Sequence, residues 1–237
     1  MKAFLAAIEP NGQSCADCAV RPLSICASLD KAEMQEFEHL RRHAHFSPCE
    51  TVFAEEEINT SFYNLLEGVM RLYKLLPDGR RQIVGFALPG DFLGMSASGR
   101  NTFSADAVNA VEVCRFSKPA FQRFAEGKPH LLRRINELAI RELSQAREHM
   151  VLLGRRSAEE KVAAFLVCWR DRLHRQHGAL ATLPLPMSRQ DIADYLGLTI
   201  ETVSRTFTKL ERDGVIEIIS GGVNLRNPAR AEALAAA

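Results

Sequence analysis

The chain of 237 residues carries a formal net charge of +1 and an apolar fraction of 46%, values typical of an ordinary soluble protein that is long enough for two domains. No apolar run approaches the roughly 20 residues of a membrane-spanning helix, and residues 1–8 are too short for the core of a signal peptide. We therefore expect a cytoplasmic protein whose thiols stay reduced. Because acidic and basic residues nearly balance, charge alone does not indicate binding to nucleic acid.

Three cysteines, Cys15, Cys18 and Cys26, lie close together in the segment C-A-D-C-A-V-R-P-L-S-I-C. In a reducing compartment such a group more often binds metal or senses redox state than forms a disulfide framework. The residues leave open an iron–sulfur cluster, which takes four thiolates, a structural zinc site, and a reversible disulfide between Cys15 and Cys18. Two other cysteines, Cys49 and Cys168, are predicted to be small buried apolar residues.

From residue 46 to residue 116, short runs rich in Val, Phe, Tyr and Leu are separated by turn residues such as Gly and Pro. The pattern predicts strands at 51–53, 62–67, 69–76, 82–87, 103–107 and 111–116, after a loop with a short helical turn over 1–29 and a short helix over 32–43. Many short antiparallel strands at this spacing predict a small β-barrel or jelly roll. In the last strand, alternation places Cys114 on one face with Glu112 and Phe116, and by itself this cysteine is interpreted as a core residue.

A long helix is predicted to begin at Pro129, because apolar residues recur there every three or four positions. The stripe consists of Leu132, Ile135, Ala139, Leu143, Ala146, Met150 and Leu153. Ile140 and Val151 lie off this stripe and give the helix a second apolar side. The pattern favours a dimer interface, and the alternative is a helix that packs twice within one chain. The next helix is predicted to begin with the capping box of Ser157 and Glu160.

The sequence that begins at Arg189 and ends at Thr208 has the pattern of a helix-turn-helix. Ala193 is small where two helices must cross, Gly197 permits the turn between them, and Val203 returns the second helix to the core. The predicted buried residues are Ile192, Ala193 and Leu196 in the first helix and Val203, Phe207 and Leu210 in the second. Segments 215–219 and 223–225 follow as a predicted hairpin, which would make the unit winged.

The other side of the second helix holds polar residues that share one exposed face. They are Glu201, Ser204, Arg205, Thr208 and Lys209. Arg205 can pair with guanine, Glu201 can accept from cytosine, and Ser204 can pair with several bases in a major groove. Thr208 and Lys209, together with Thr199 at the start of the helix, are predicted to contact the DNA backbone. The alternative for Glu201 and Arg205 is a surface ion pair.

Enzyme motifs are incomplete in this chain. Residues 94–101 imitate a phosphate-binding loop but have Arg100 and Asn101 where a Lys and a Ser or Thr are required. No His-Glu-x-x-His motif of a metalloprotease occurs in the sequence. The sequence therefore indicates a DNA-binding protein and not an enzyme.

These motifs resemble those of the Crp/Fnr superfamily of transcription regulators, and within it the Fnr/FixK branch. The sequence Leu-Pro-Gly-Asp-Phe-Leu-Gly at 88–94 is similar to the barrel signature of the superfamily, and 201–205 to the Fnr recognition motif Glu-x-x-Ser-Arg. The resemblance implies an α+β fold: an N-terminal double-stranded β-helix (jelly-roll, cyclic-nucleotide-binding-like) sensor domain, a long dimerisation helix and a C-terminal winged helix-turn-helix. We divide the chain into a cysteine-rich N-terminal arm (1–29), the β-roll sensor domain (30–128), the dimerisation helix (129–154) and the DNA-binding domain (155–237).

The resemblance also implies a set of metal ligands. Fnr-type members have an N-terminal cysteine cluster and one cysteine in the barrel, and Cys15, Cys18, Cys26 and Cys114 occupy those places, which implies a [4Fe–4S] cluster. The best-known family spacing is C-x2-C-x5-C, whereas seven residues separate the second and third cysteines here. This longer loop is similar to that of cysteine-containing FixK- or FnrN-type regulators. The phosphate-binding Arg of cyclic-nucleotide binders is absent from 101–106, so no cyclic nucleotide is expected.

The function implied by the resemblance is that of an oxygen-responsive transcription regulator, mainly an activator. Such a homodimer binds double-stranded DNA at sites like TTGAT-N4-ATCAA, with Glu201, Ser204 and Arg205 reading the half-site, and controls microaerobic, anaerobic and nitrogen-fixation genes. RNA polymerase is expected as the protein partner, with the turn at 77–81 as a candidate contact. The alternative within the family is a cluster-free FixK-type activator that does not itself sense oxygen, and outside it a zinc-stapled barrel that binds a small ligand.

Overall fold

A computed structural model describes residues 14–178 and 180–236, so the first thirteen residues of the predicted arm lie outside the described part. The strands are β1 (Arg42–Phe46), β2 (Thr51–Phe53), β3 (Ser61–Glu67), β4 (Met70–Leu75), β5 (Arg81–Ala87), β6 (Phe92–Leu93), β7 (Ser104–Ala107), β8 (Val111–Ser117), β9 (Leu183–Pro184), β10 (Ile216–Ile219) and β11 (Gly222–Leu225). The helices are α1 (Lys31–Leu40), α2 (Lys118–Ala125), α3 (Pro129–Arg155), α4 (Ala158–His177), α5 (Arg189–Leu196), α6 (Ile200–Arg212) and α7 (Pro228–Ala236). Within the described ranges, each helix is too short or too polar to traverse a bilayer.

Two four-stranded sheets form the N-terminal β-roll, with strand orders β1-β8-β3-β6 and β2-β7-β4-β5. Their inner faces share one apolar core, to which β8 contributes Val111 and Val113 and β7 contributes Ala105. Phe53 from one sheet stacks on Tyr63 from the other, with ring centroids 5.5 Å apart. Apolar residues alternate along these strands because one face of each strand is buried. The α+β fold with a jelly-roll-like β-domain is therefore confirmed.

The described part of the arm folds into three short 3₁₀ turns, Cys15–Asp17, Arg21–Leu23 and Ile25–Ser28, where the sequence predicted a loop with one helical turn. The helix predicted over 32–43 ends earlier, at Leu40, because Arg42–Phe46 pairs with β8. Three elements of the N-terminal part, β1, β6 and α2, were not predicted. β6 has only two residues and cannot show alternation, and α2 is a short helix that directly follows a strand.

The long helix α3 begins at Pro129, as predicted, and continues to Arg155. Its buried side differs from the predicted stripe, because Leu131 and Leu152 are buried while several members of the stripe are exposed. The large apolar residues left exposed are Leu132, Ile140, Leu143, Met150 and Val151. At about 100° per residue they share one side of the helix, which we call the exposed apolar face of α3.

The C-terminal part confirms the winged helix-turn-helix. α4 begins at the predicted capping box, and the hairpin β10–β11 follows α6. β9 adds a third strand to the wing, and α7 follows it; neither was predicted. By contacts the chain divides into two compact units, one containing the chain up to Leu72 and Phe86–Ile140, the other containing Tyr73–Gly85 and the chain from Arg141. The tip of the β4–β5 hairpin therefore groups with the C-terminal unit.

Two cysteines that were predicted to be buried are exposed. Cys49 occupies the turn after β1 with a φ of +67°. Cys168 lies on α4 between Leu166 and Trp169, which both face the core. Because Leu166 and Trp169 are three residues apart on one helix face, a residue between them is turned away from that face. The prediction of core positions was wrong at both sites.

Candidate functional site

Cys114 lies on the outer face of the β-roll and not in its interior. Its neighbours Val111 and Val113 point into the core between the two sheets. Cys114 and Phe116 instead belong to a second apolar cluster, which includes Phe37 of α1 and residues of α2. This is the alternation that the sequence predicted for the strand. The thiol is nevertheless buried, because the residue is only 6% exposed.

The cysteine arm covers this outer face of β8. Cys15 is buried in the same apolar cluster as Cys114, and Cys26 packs against that cluster while partly exposed. Cys18 is also partly exposed and lies outside the cluster. Each of these four thiols interacts electrostatically with the other three. The structure thus brings together the four cysteines that the sequence singled out, although they come from two distant segments.

Burial dominates the chemistry of these thiols. It raises the pKa of Cys114 to about 12 and the pKa of Cys26 to about 11, and it also raises the pKa of Cys15. The Arg41 guanidinium opposes this rise in pKa at Cys15 and Cys114, and Arg21 opposes it at Cys15 and Cys26. The protonated thiols must lose protons to act as ligands, and two guanidinium groups are placed to offset the negative charge that results.

Two buried polar atoms beside Cys114 have no hydrogen-bond partner among the described residues: His43 Nε2 and Asn64 Oδ1. Both residues are direct cross-strand partners of Cys114, His43 on β1 and Asn64 on β3. Buried polar atoms without a partner are rare in native proteins and indicate a water, ion or ligand at that place. The surroundings of Cys114 therefore fit a bound polar group.

A single zinc ion and a [4Fe–4S] cluster require different separations between their cysteine ligands. In the part of the chain that the structure describes, no three His, Cys, Asp or Glu side chains lie close enough to hold one metal ion. A single zinc ion with four Zn–S bonds of 2.3 Å would need its sulfurs about 3.8 Å apart. A [4Fe–4S] cluster places iron and its own sulfides between the thiolates and accepts more distant sulfurs. The described residues therefore do not form the compact ligand set of a single metal ion.

The arm is fastened to the start of α3 by Arg134. Its Nη2 donates to the carbonyl oxygen of Leu23 at 3.1 Å, and its Nε donates to that of Ser24 at 3.2 Å. On the other side, Gly90 approaches the arm so closely that a Cβ at that position would lie 2.7 Å from Leu23 Cβ. These contacts hold the chain two residues before Cys26. Nothing in the sequence pattern singled out Arg134, because its partners are backbone carbonyls that any residue provides.

The helix-turn-helix has the local structure that its residues predict. Ser188 and Asp191 form the capping box of α5, and Gly197 ends that helix in the left-handed conformation with a φ of +61°. Thr199 Oγ1 then accepts from the backbone of Thr202 and caps α6. All six residues predicted to be buried are at most 1% exposed, namely Ile192, Ala193, Leu196, Val203, Phe207 and Leu210.

The predicted recognition face of α6 is exposed along its whole length. Its members are Glu201, Ser204, Arg205, Thr208 and Lys209. A hydrogen bond from its own backbone, a second from Thr199 and the nearby charge of Arg205 lower the pKa of Glu201, so this side chain remains an acceptor. Lys209 Nζ contacts the carboxylate of Glu159, an ion pair between α6 and α4 that the sequence did not predict. The face offers both donors and acceptors, as reading of base edges requires.

A further contact joins the β4–β5 hairpin to α5. Arg81 Nη2 lies 2.6 Å from Asp191 Oδ1 and 2.7 Å from Asp194 Oδ2. Gln82 Nε2 donates to the carbonyl oxygen of Asp194 at 2.7 Å. Of the turn that was predicted as a contact for RNA polymerase, 77–80 is exposed, whereas Arg81 is engaged within the chain. Sequence reasoning missed this role of Arg81, because its partners are more than a hundred residues away.

Two family models and several individual relatives match this chain. The model for bacterial regulatory proteins of the crp family matches residues 185–216, and the model for a cyclic nucleotide-binding domain matches residues 43–128. The nitrogen fixation regulation protein FixK of Bradyrhizobium diazoefficiens is 73% identical over the full length of both chains. The transcriptional activatory protein AadR of Rhodopseudomonas palustris is 60% identical over 93% of this chain and 92% of its own.

Among solved structures, FixK2 from Bradyrhizobium japonicum is similar to this chain, with a TM-score of 0.77 and 35% sequence identity. The match covers 83% of this chain and 98% of that one. The two matched models and these relatives describe one architecture along the chain.

Proposed function

The chain belongs to the Crp/Fnr family of transcription regulators, and on that premise we propose that it is an oxygen-responsive activator that binds DNA as a homodimer. The genes it controls serve microaerobic and anaerobic metabolism and nitrogen fixation. The relative from Bradyrhizobium diazoefficiens is named as a nitrogen fixation regulation protein. The observation that carries the oxygen response is the assembly of four thiols on the outer face of β8. RNA polymerase is the protein partner, and the exposed turn 77–80 is the candidate contact.

The recognition face of α6 supports binding to sites like TTGAT-N4-ATCAA. Glu201, Ser204 and Arg205 are exposed near the start of the helix, the end that enters the major groove in helix-turn-helix proteins. A guanidinium pairs with guanine, and a carboxylate accepts from cytosine N4. Thr199, Thr208 and Lys209 are assigned to the DNA backbone, which positions the helix without reading sequence. Two copies of α6 are needed to read two half-sites.

The exposed apolar face of α3 supports the homodimer. Leu143 and Met150 are 50% and 64% exposed, which is uncommon for large apolar side chains on one side of a helix. A second copy of the same helix provides a matching surface, since a twofold dimer brings one face against itself. Burial of these residues in both chains would offset the entropic cost of association. The paired helices would set the distance between the two recognition helices.

A [4Fe–4S] cluster held by Cys15, Cys18, Cys26 and Cys114 supplies the sensitivity to oxygen when it is bound. The protein's own part is to join the arm to β8 through these ligands and to hold the arm on α3 through Arg134. When ligation is lost, the described part of the arm keeps its apolar contacts, the Arg134 hydrogen bonds and the hydrogen bond from Cys15 N to Glu38 Oε1. The DNA-binding dimer responds only to the extent that ligated and unligated arms differ in their preference for it.

A cyclic nucleotide is not part of this proposal, although the β-roll matches that domain family. The stretch 101–106, where an Arg would hold the phosphate, ends instead in the carboxylate of Asp106. That carboxylate accepts from Thr51 Oγ1 at 2.9 Å and pairs with Arg71 at 3.2 Å. A second anion beside Asp106 would be repelled, and Arg71 is already paired with that carboxylate.

The experiment that tests the oxygen response is purification without air from iron-supplied cells, followed by a DNA-binding assay. We expect brown protein with charge-transfer absorption that binds a TTGAT-N4-ATCAA duplex. It should contain four iron atoms per chain, as one [4Fe–4S] cluster requires. Exposure to air should bleach the absorption and weaken binding in step. The variant Cys114→Ser should lose both properties, whereas Cys49→Ser, which alters an exposed cysteine outside the group, should lose neither.

The alternative is the cluster-free FixK-type activator, and the same experiment decides between the two. Colourless protein that binds the duplex equally well with and without air would establish the alternative. Brown protein whose binding does not change on bleaching would contradict the coupling and leave the cluster without a regulatory role. Binding by Cys49→Ser that persists in air would mean that oxidation of an ordinary exposed thiol, and not the four-thiol site, causes the response to air.

A further inference from the structure

Lys209, on the recognition face of α6, forms an ion pair with α4. Its Nζ contacts the carboxylate of Glu159, which lies in the first turn of α4. The Lys209 side chain is 48% exposed, whereas the Glu159 side chain is only 23% exposed. The ammonium group that we assign to the DNA backbone therefore already has an anionic partner within the protein.

Glu159 takes no part in the capping box that starts α4. Ser157 Oγ accepts from the backbone of Glu160, and the Glu160 carboxylate accepts from the backbone of Ser157 at 2.8 Å. A negative charge at Glu159 is favoured by the helix dipole, but an uncharged amide at that position leaves both capping hydrogen bonds in place. The charge of Glu159 can therefore be removed without removing the cap of the helix.

We propose that Glu159 competes with a DNA phosphate for Lys209 and thereby lowers the affinity of the protein for DNA. This inference rests on the DNA-binding part of the proposed function and does not depend on the cluster. A lysine ammonium binds carboxylate and phosphate alike as a point charge. A partly exposed ion pair contributes little to stability, so the dense negative charge of a duplex displaces the carboxylate from Lys209. Breaking the pair subtracts from the free energy that the phosphate contact provides.

The loss of affinity is the same for every DNA sequence. A phosphate contact positions the protein on the duplex and carries no information about the bases. Competition by Glu159 therefore weakens binding to consensus and non-consensus duplexes by the same factor. Binding of the free protein then depends more on the base contacts of Glu201, Ser204 and Arg205. The α4–α6 ion pair tunes affinity, whereas these three residues set the choice of sequence.

The test is fluorescence anisotropy with full-length protein purified without air, a TTGAT-N4-ATCAA duplex and a duplex of scrambled sequence. Glu159→Gln should lower the Kd for both duplexes by about threefold, the size expected for loss of a partly exposed ion pair. The gain should shrink as salt rises, because salt screens the pair in the unaltered protein. Asp171→Asn is the matched control. It removes the same charge about 18 Å further along α4, beside Arg170 at 2.8 Å, and should leave both Kd values unchanged.

Lys209→Ala, made in the unaltered chain and in Glu159→Gln, distinguishes competition from a bridging arrangement. If phosphate displaces the carboxylate, the contact made by Lys209 costs the ion pair. Lys209→Ala should then weaken DNA binding less in the unaltered chain than in Glu159→Gln. If the ammonium instead bridges Glu159 and a phosphate, Glu159 orients it, and Lys209→Ala weakens binding at least as much in the unaltered chain. That second result would overturn the proposal.

The remaining outcomes separate this inference from the function on which it rests. Binding to the TTGAT-N4-ATCAA duplex that is the same in Glu159→Gln, or that Asp171→Asn tightens equally, would overturn the role of Glu159 and leave DNA recognition intact. Unaltered protein that binds neither duplex would overturn both. If Glu159→Gln does not fold, Glu159→Asp provides the comparison. It keeps the charge but sets the carboxylate back by one methylene from Lys209, and should give a smaller gain in affinity for both duplexes.

Discussion

Arg81 Nη2 lies 2.6 Å from Asp191 Oδ1, and this ion pair joins the β4–β5 hairpin to the first turn of α5. Asp191 is at the same time the residue that completes the capping box of Ser188, because its carboxylate accepts from the backbone and the hydroxyl of Ser188. The Asp191 carboxylate thus takes part both in capping α5, the first helix of the helix-turn-helix, and in binding Arg81 of the hairpin. The tip of a sensor-domain hairpin is therefore tied to the element that presents the recognition helix.

The first prediction concerns the stability of this connection. Arg81→Ala leaves Asp191 and Asp194 without their guanidinium in a largely buried place, with side chains 5% and 13% exposed. Breaking a fully buried pair costs about 3–5 kcal/mol; because Arg81 is itself 22% exposed, we expect a smaller loss, about 1–3 kcal/mol. Urea unfolding measures it. Arg80→Ala, in the neighbouring exposed residue, should change the unfolding free energy by less than about 0.5 kcal/mol, and an equal loss in both variants would contradict the assignment.

How much of the site was predictable depends on how local its causes are. The helix-turn-helix was predictable because capping, the left-handed Gly197 and the buried spacing of Val203 and Phe207 all act within a few residues. Strand alternation alone placed Cys114 on one face with Glu112 and Phe116, but it did not show which face of the strand points outward.

The missed parts of the site depend on distant partners. Arg81 is bound by carboxylates more than a hundred residues later, and Arg134 by carbonyls of the arm. His43 was placed at the end of a predicted helix, because its strand is defined only by pairing with β8. The exposed side of α3 also differs from the predicted stripe, since a single helix cannot show which of its apolar sides the rest of the chain covers. In each case the cause is a tertiary contact and not a local pattern.

The second prediction concerns base reading by α6. Arg205→Ala should weaken binding to a TTGAT site by about 1–3 kcal/mol and relax discrimination at the guanine that it contacts. Lys209→Ala should weaken binding to all duplexes alike and reduce the salt dependence, because it removes a phosphate contact. Fluorescence anisotropy with the consensus duplex and with single-base variants measures both. A uniform loss in Arg205→Ala would reassign that residue to the DNA backbone.

The third prediction concerns the fastening of the arm. Arg134→Gln removes the guanidinium that donates to Leu23 and Ser24. If the two hydrogen bonds together contribute about 2 kcal/mol, detached arms become about 30-fold more populated. We expect the charge-transfer absorption to be lost faster in air, and stopped-flow spectroscopy measures the rate of this loss. Arg133→Gln, one residue earlier and exposed, is the control; identical decay in both variants would show that Arg134 does not hold the arm.

The fourth prediction concerns the homodimer. Leu143→Asp places a charge in the exposed apolar face of α3 and removes an apolar side chain from both copies, which should cost at least about 3 kcal/mol and raise the dissociation constant about 100-fold. Sedimentation equilibrium measures this constant. Gln145→Asp adds the same charge two residues later, turned by about 200° from Leu143 around the helix. Equal weakening by both substitutions would mean that charge, and not the apolar face, governs association.

The fifth prediction concerns stability against pH. His149 stacks on Tyr195 with ring centroids 4.1 Å apart, and its Nε2 lies 2.9 Å from the Tyr195 carbonyl oxygen. Burial lowers the pKa of His149 below its ordinary value near 6.5, the hydrogen bond to Tyr195 partly opposes this, and Lys161 adds to it. Between the lowered pKa of His149 in the folded chain and its ordinary value in the unfolded chain, the unfolded chain binds the proton more readily, so stability rises with pH. The contribution of neutral His149 to stability is fully present above about pH 6.5 and declines as the pH falls towards the folded pKa.

His149→Gln isolates this contribution, because glutamine can still donate to the carbonyl oxygen of Tyr195 but does not titrate. We expect its unfolding free energy to fall less between pH 7 and pH 5.5 than that of the unaltered chain, as measured by urea unfolding at each pH. The interval lies above the lowered pKa of Glu201 and Glu217, so those carboxylates remain charged throughout. A steeper fall in the variant would mean that His149 is charged in the folded protein, with a pKa that the Tyr195 carbonyl raises by more than burial lowers it.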